Sequence, residues 1–147
     1  MKKIPIVIAV LLAYGTAFTQ HVNQNKMDKR INSKTIVFIH GLFMNNHTWD
    51  GWKSFFEAHG YTCHAPANPK HEGNPSELRA NPPANLEDVQ FQDWITHLEK
   101  IIDALPEKPI LIGHSFGGLT AQKLVASGKA EAAILISSAP PKGISTF

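Results

Sequence analysis

Short continuous apolar runs alternate along the chain with longer amphipathic ones. Thr35 to Ile39 is a β-branched apolar run, which predicts a buried parallel strand. A loop, Leu42-Phe43-Met44-Asn45-Asn46-His47, comes after His40-Gly41. Thr48 is then placed to cap a helix. Trp49, Trp52, Phe55 and Phe56 fall at helical spacing and predict a core-facing stripe, and Gly60 predicts the helix stop. Tyr61 to Ala65 predicts a second strand, ended by Pro66. Residues 66–86 hold Pro66, Pro69, Pro75, Pro82 and Pro83, which predicts a long loop without a regular element. From Glu87 the helical period returns, with Phe91, Trp94, Ile95, Leu98, Ile101, Ile102 and Leu105 on one face. Pro106 and Pro109 bracket the link to a third apolar run at Ile110 to Ile112. A helix to about Ser127 stops at Gly128, and Ala132 to Ile136 is a fourth strand. Strand and helix in strict alternation imply a parallel sheet with right-handed crossovers.

The two ends of the pattern differ from its middle. Lys2 and Lys3, the apolar stretch Ile4 to Ala13 and a small-x-small cleavage site at either Gly15-Thr16-Ala17 or Ala17-Phe18-Thr19 read as a secretory signal peptide over residues 1–19. A buried N-terminal strand or an uncleaved anchor is the alternative. Residues 20–34 are polar and without periodicity, a flexible leader, and residues 35–147 form the folded domain. The expectation is an exported protein, periplasmic or extracellular, with no integral membrane segment once the signal is removed. Composition adds little to this. The 147 residues suffice for one domain with a core. Lys plus Arg is 14 and Asp plus Glu is 12. Removing Lys2 and Lys3 leaves a formally neutral chain, so charge gives no case for nucleic acid or an anionic membrane as partner. Cys63 is the single cysteine, so no internal disulfide forms, and its apolar run marks it as a buried thiol.

The chemistry concentrates where the third strand meets its helix. Gly113-His114-Ser115-Phe116-Gly117-Gly118 contains Gly-x-Ser-x-Gly between an apolar strand and a helix-forming run. A serine hydroxyl is a weak nucleophile unless it is exposed, aimed and served by a base. A sharp strand-to-helix turn exposes Ser115, and Gly113 and Gly117 leave room where a Cβ would strike neighbouring backbone. Gly118 is expected to let the helix pack close to the sheet. About 75 residues before Ser115 an apolar strand ends in His40-Gly41, with Leu42 next.

Together with the apolar strand ending Ser137-Ser138-Ala139-Pro140, these motifs resemble the N-terminal half of an α/β-hydrolase of the lipase and esterase kind. The resemblance covers Thr35 to about Gly143. It implies a partial α/β-hydrolase fold, with a four-stranded parallel sheet in the order second, first, third, fourth. The first helix should cover one face and the next two the other, with the C-terminal strands missing. It further implies Ser115 as nucleophile and the N–H groups of Leu42 and Phe116 as oxyanion donors, with His40, Gly41, Gly113, His114, Gly117 and Gly118 shaping the site. Phe43, Met44 and the proline-rich loop are candidates for an apolar substrate wall. The expected substrate is a small ester or acyl compound, and no metal or organic cofactor is implied.

Beyond Ser115 the chain departs from the family. The family order is Ser, then Asp or Glu, then His. Here Glu131 is the one later acid, and no histidine lies after Ser115. The expectation is a serine esterase truncated before its acid and base, with little activity in this chain alone. The alternative is a non-catalytic remnant or binding module. His40, His47, His71 and His114 precede Ser115 and are poor candidates for the base. With no fifth strand beside it, the fourth is expected to leave a bare sheet edge capable of self-association. Asn46-His47-Thr48 also matches a glycosylation acceptor, a pattern common by chance.

Overall fold

The structure, a computed structural model, describes residues 31–144. The chain divides into two units, of which the second, from residue 33, is compact. The expected signal peptide and most of the leader lie outside the described residues. In the second unit, strands β1 (Thr35–Ile39), β2 (Thr62–His64), β3 (Ile110–His114) and β4 (Ala132–Ile136) form one sheet in the order β2-β1-β3-β4. Every pairing is parallel, with Ile36 opposite Cys63 and Ile110, and Ile112 opposite Ile134. The helices between them are α1 (Asp50–Ala58), α2 (Pro75–Ala80), α3 (Phe91–Asp103) and α4 (Phe116–Ala126).

Period-two alternation divides the strands between two cores. Val37, Ile39 and Leu111 pack with Ile95, Leu98 and Ile102 of α3 and Ala121 and Leu124 of α4. Ile36, Phe38 and Ile112 face the other way, against Trp49, Phe56 and Cys63. Helices α3 and α4 therefore cover the first face and α1 the second, one helix against two as the resemblance implied. Cys63 is buried, and that burial, with a smaller contribution from the nearby Glu57 carboxylate, raises its thiol pKa.

Several local features differ from the hydrophobic reading. Residues 66–86 are not all loop, because α2 forms at Pro75–Ala80. The Asn74 side chain accepts from the Ser76 N–H at 2.8 Å, and Pro75 occupies the first turn, where a missing N–H costs nothing. The cap before α1 is Asn45, whose side chain accepts from the His47 N–H and starts a short 3₁₀ turn at Asn46–Trp49; Thr48 lies inside that turn. The aromatic stripe is only partly core. Trp49 is buried and stacks on Phe38 at 5.1 Å between ring centroids, whereas Trp52 and Phe55 are 45% and 58% exposed. In addition, α3 begins at Phe91 rather than Glu87. A 3₁₀ turn at Leu86–Asp88 precedes it, and Gln90 with Asp93 forms a capping box.

Candidate active site

At the junction of β3 and α4, Ser115 has φ 54° and ψ −118°. A non-glycine residue in that region carries strain of about 1–3 kcal/mol and persists only where its surroundings hold it. The hold is visible. Ser115 N–H donates to Ile136 O at 3.0 Å, and Ser115 O accepts from Gly118 N–H at 3.0 Å and Ala139 N–H at 2.9 Å. The end of β4 and the loop after it thus clasp the serine backbone on both sides. Gln122 Nε2 donates to Ser138 Oγ at 2.8 Å and ties that loop to α4.

The glycines answer to close approaches. A Cβ on Gly113 would run into the Gly117 carbonyl, and one on Gly117 into the Ile39 carbonyl at the end of β1. It is Gly117, then, that lets α4 close on the sheet. A Cβ on Gly118 would lie 2.7 Å from Ser138 Cβ, in the clasping loop. Gly41 brings the two predicted motifs together, since a Cβ there would lie 3.3 Å from both Ser115 Cβ and His114 Nδ1. Leu42 starts immediately beyond that contact. Phe116 opens α4, so its N–H has no carbonyl four residues back within the helix. Neither the Leu42 nor the Phe116 N–H is used in a hydrogen bond among the described residues.

His40, His71 and His47 are engaged by other groups of the fold. His40 is fully buried; its Nδ1–H donates to Gly41 O at 2.8 Å and its Nε2 accepts from Asn68 N–H at 3.1 Å. The carbonyl and the amide together require the neutral Nδ1–H tautomer. Burial is the main reason its pKa is lowered to about 4; the Gly41 carbonyl opposes that shift and the nearby His71 adds to it. Both His71 nitrogens meet carbonyl oxygens, Nδ1 at Pro69 O (3.0 Å) and Nε2 at Leu42 O (3.1 Å). His47 Nδ1 pairs with Asp50 at the surface. His114 shares its face of β3 with Ile112, and its Nδ1 is buried without a partner among the described residues. Glu131 lies just before β4, at the other end of the sheet from Ser115, and accepts from Ser33 N–H at 3.1 Å. Among the described residues no group of three or more His, Cys, Asp or Glu is placed to hold a metal ion, and no helix is long and apolar enough to cross a membrane.

Four residues support the site in roles the sequence reading did not give them, His71 having been weighed only as a base. Asn68 pins His40, and His71 holds the Leu42 carbonyl. Trp94 and Phe91 of α3 pack edge-on against the Phe116 ring, at 5.0 and 5.2 Å. The helical period marked Trp94 and Phe91 as core-facing, but which ring they would meet depends on how α3 docks.

Family comparison agrees with this geometry. The chain belongs to the alpha/beta hydrolase family, whose model matches residues 36–147. A search of curated proteins finds no match. Solved structures similar to it include polyneuridine aldehyde esterase, at 26% identity and TM-score 0.59 over 75% of this chain and 42% of that one. Another is tomato methylketone synthase I complexed with 2-tridecanone, at 25% identity and TM-score 0.60 over 79% and 44%. The monoacylglycerol lipase of Paleococcus ferrophilus, at 23% identity and TM-score 0.59 over 77% and 42%, shares the fold. The chain spans less than half the length of each.

Proposed function

We propose that residues 35–147 carry the nucleophile and oxyanion half of a serine carboxylic-ester hydrolase. The observation that carries this reading is the left-handed backbone of Ser115 between β3 and α4, with Gly41 packed against it. An esterase among the similar solved structures supports the class of reaction. In the proposed mechanism Ser115 Oγ attacks the ester carbonyl carbon. Its proton passes to a histidine outside residues 1–147, oriented by an acid also outside them. The carbonyl oxygen becomes an oxyanion held by Leu42 and Phe116 N–H. Collapse breaks the bond to the alcohol, which leaves with the proton, and water releases the acyl group from Ser115 by the same steps. Residues 1–19 are read as an export signal; N-terminal sequencing of the exported product, expected to begin at Phe18 or Gln20, checks it.

A fluorophosphonate probe with mass-spectrometric mapping tests the mechanism. A product of the same gene extended to include an Asp and a His is expected to label at Ser115 and to hydrolyse 4-nitrophenyl butyrate, both lost in Ser115→Ala. The 147-residue chain is expected to label weakly or not at all, because loss of triad members costs on the order of 10⁴–10⁶ in rate. Ordinary esterase turnover by the 147 residues, abolished by Ser115→Ala, overturns the placement of the base. An extended product that neither labels nor turns over overturns the enzyme reading in favour of a binding module.

A further inference from the structure

A cavity of about 540 Å³ opens between the loop after β1 and helix α2. That size lies within the roughly 300–1,000 Å³ of small-molecule sites. Leu42, Phe43, Met44, Pro75, Leu78 and Leu86 make its wall largely apolar. Two polar side chains on the wall already have partners in the fold. Asn45 caps the 3₁₀ turn and donates to Gly73 O, and His71 lies between Pro69 O and Leu42 O. Arg79 differs from both. Its one hydrogen bond among the described residues is long, 3.4 Å from Nη2 to Ser76 Oγ, and no carboxylate pairs with it there. A guanidinium offers five N–H donors in a fork that matches a carboxylate. No acidic side chain stands on the wall.

We propose that this cavity seats a medium-length apolar chain ending in a carboxylate, the chain against Leu42, Leu78 and Leu86 and the carboxylate on Arg79. Leu42 links the cavity to the candidate site, because its side chain lines the wall and its N–H is the proposed oxyanion donor. Resting on the esterase reading, the substrate class is an ester with one apolar arm that carries an acidic group far from the scissile bond. Apolar burial supplies the affinity for the arm, and the Arg79 fork selects its end group.

Octanoate, octan-1-ol and octylammonium binding to the 147-residue chain tests this, read by calorimetry and by amide shifts in NMR spectra. Octanoate is expected to bind about tenfold more tightly than octan-1-ol, as one charge-assisted hydrogen bond provides. Octylammonium is expected to bind least. Arg79→Gln should remove the octanoate advantage, and Leu78→Trp should abolish binding of all three by filling the cavity. In the wild-type chain the shifts should centre on Leu42, Leu78 and Leu86, a readout that stands even if a variant fails to fold. Shifts centred on Ile134 and Leu135, full octanoate binding by folded Leu78→Trp, or an octanoate preference that survives Arg79→Gln would overturn the proposal. Ser115→Ala is expected to bind octanoate like wild type. Binding without Ser115 labelling in the extended product therefore sinks the nucleophile reading alone, and labelling without binding sinks the cavity alone.

Discussion

Beneath the loop that carries Leu42, the buried His40 ring gives its one proton to Gly41 O and its one lone pair to Asn68 N–H. A second proton would break the Asn68 bond and place a charge in the core. The ring's pKa accordingly falls from 6.5 to about 4 on folding. Between those values the unfolded chain binds a proton that the native chain refuses. The stability this group contributes is therefore full above pH 6.5 and is lost as pH falls toward 4, about 3 kcal/mol in all. Urea titrations from pH 7 to pH 4 should show that loss, and His40→Gln should lack this part of it. The glycines make a sharper contrast. Gly113→Ala drives a methyl into the Gly117 carbonyl and is expected to cost about 3 kcal/mol. Gly51, on the exposed side of α1, would have open space around a Cβ, so Gly51→Ala should gain up to about 1 kcal/mol from helix propensity. Thermal melts of the two variants should move in opposite directions. The motif announced Gly113, because its requirement is a backbone contact four residues away. It did not announce Asn68, which reaches His40 across 28 residues of chain.

Helix α2 sits in the stretch whose proline count concealed it. Asn74-Pro75-Ser76-Glu77 carries a cap, a first-turn proline and a first-turn acid, and these signals were legible beneath the prolines. The helix buries no residue fully, so its cap matters locally. Asn74→Ala is expected to weaken α2 by about 1 kcal/mol. Amide exchange at Leu78 and Arg79 should quicken roughly fivefold, while the global melting temperature stays nearly unchanged. The stripe on α1 failed in the opposite sense. Helical spacing identified an apolar face but not how wide a sheet it would find to cover. Trp52 reaches Phe38 only edge-on, at 6.5 Å between ring centroids, and stays half exposed.

Across the whole molecule the sheet ends at β4 among the described residues. In-register pairing places Ile134 on the same face as Ile112 and Leu135 on the same face as Gly113. Both are large and apolar, yet they are 50% and 43% exposed, so both faces of the edge are bare. An unpaired edge with apolar faces is a template for association. The 147-residue chain is expected to sediment as a concentration-dependent mixture, and Ile134→Lys with Leu135→Lys to sediment as a monomer. A monomeric wild-type chain at all concentrations would remove the case for edge pairing. The strand order and the assignment of helices to faces were legible, since parallel alternation and handed crossovers leave few arrangements.

The sequence by itself determined the four strands, the α1, α3 and α4 crossovers and the turn at Ser115. Each of these rests on a local period or on a glycine beside its own neighbours. Tertiary structure alone decided what the loops do. His71 reaches the Leu42 carbonyl from 29 residues away, Trp94 meets Phe116, and α2 closes the cavity that Arg79 borders. Such contacts have no period to read. They arise where segments far apart along the chain meet over the ends of β1 and β3, and the path of each loop depends on the packing of all the others.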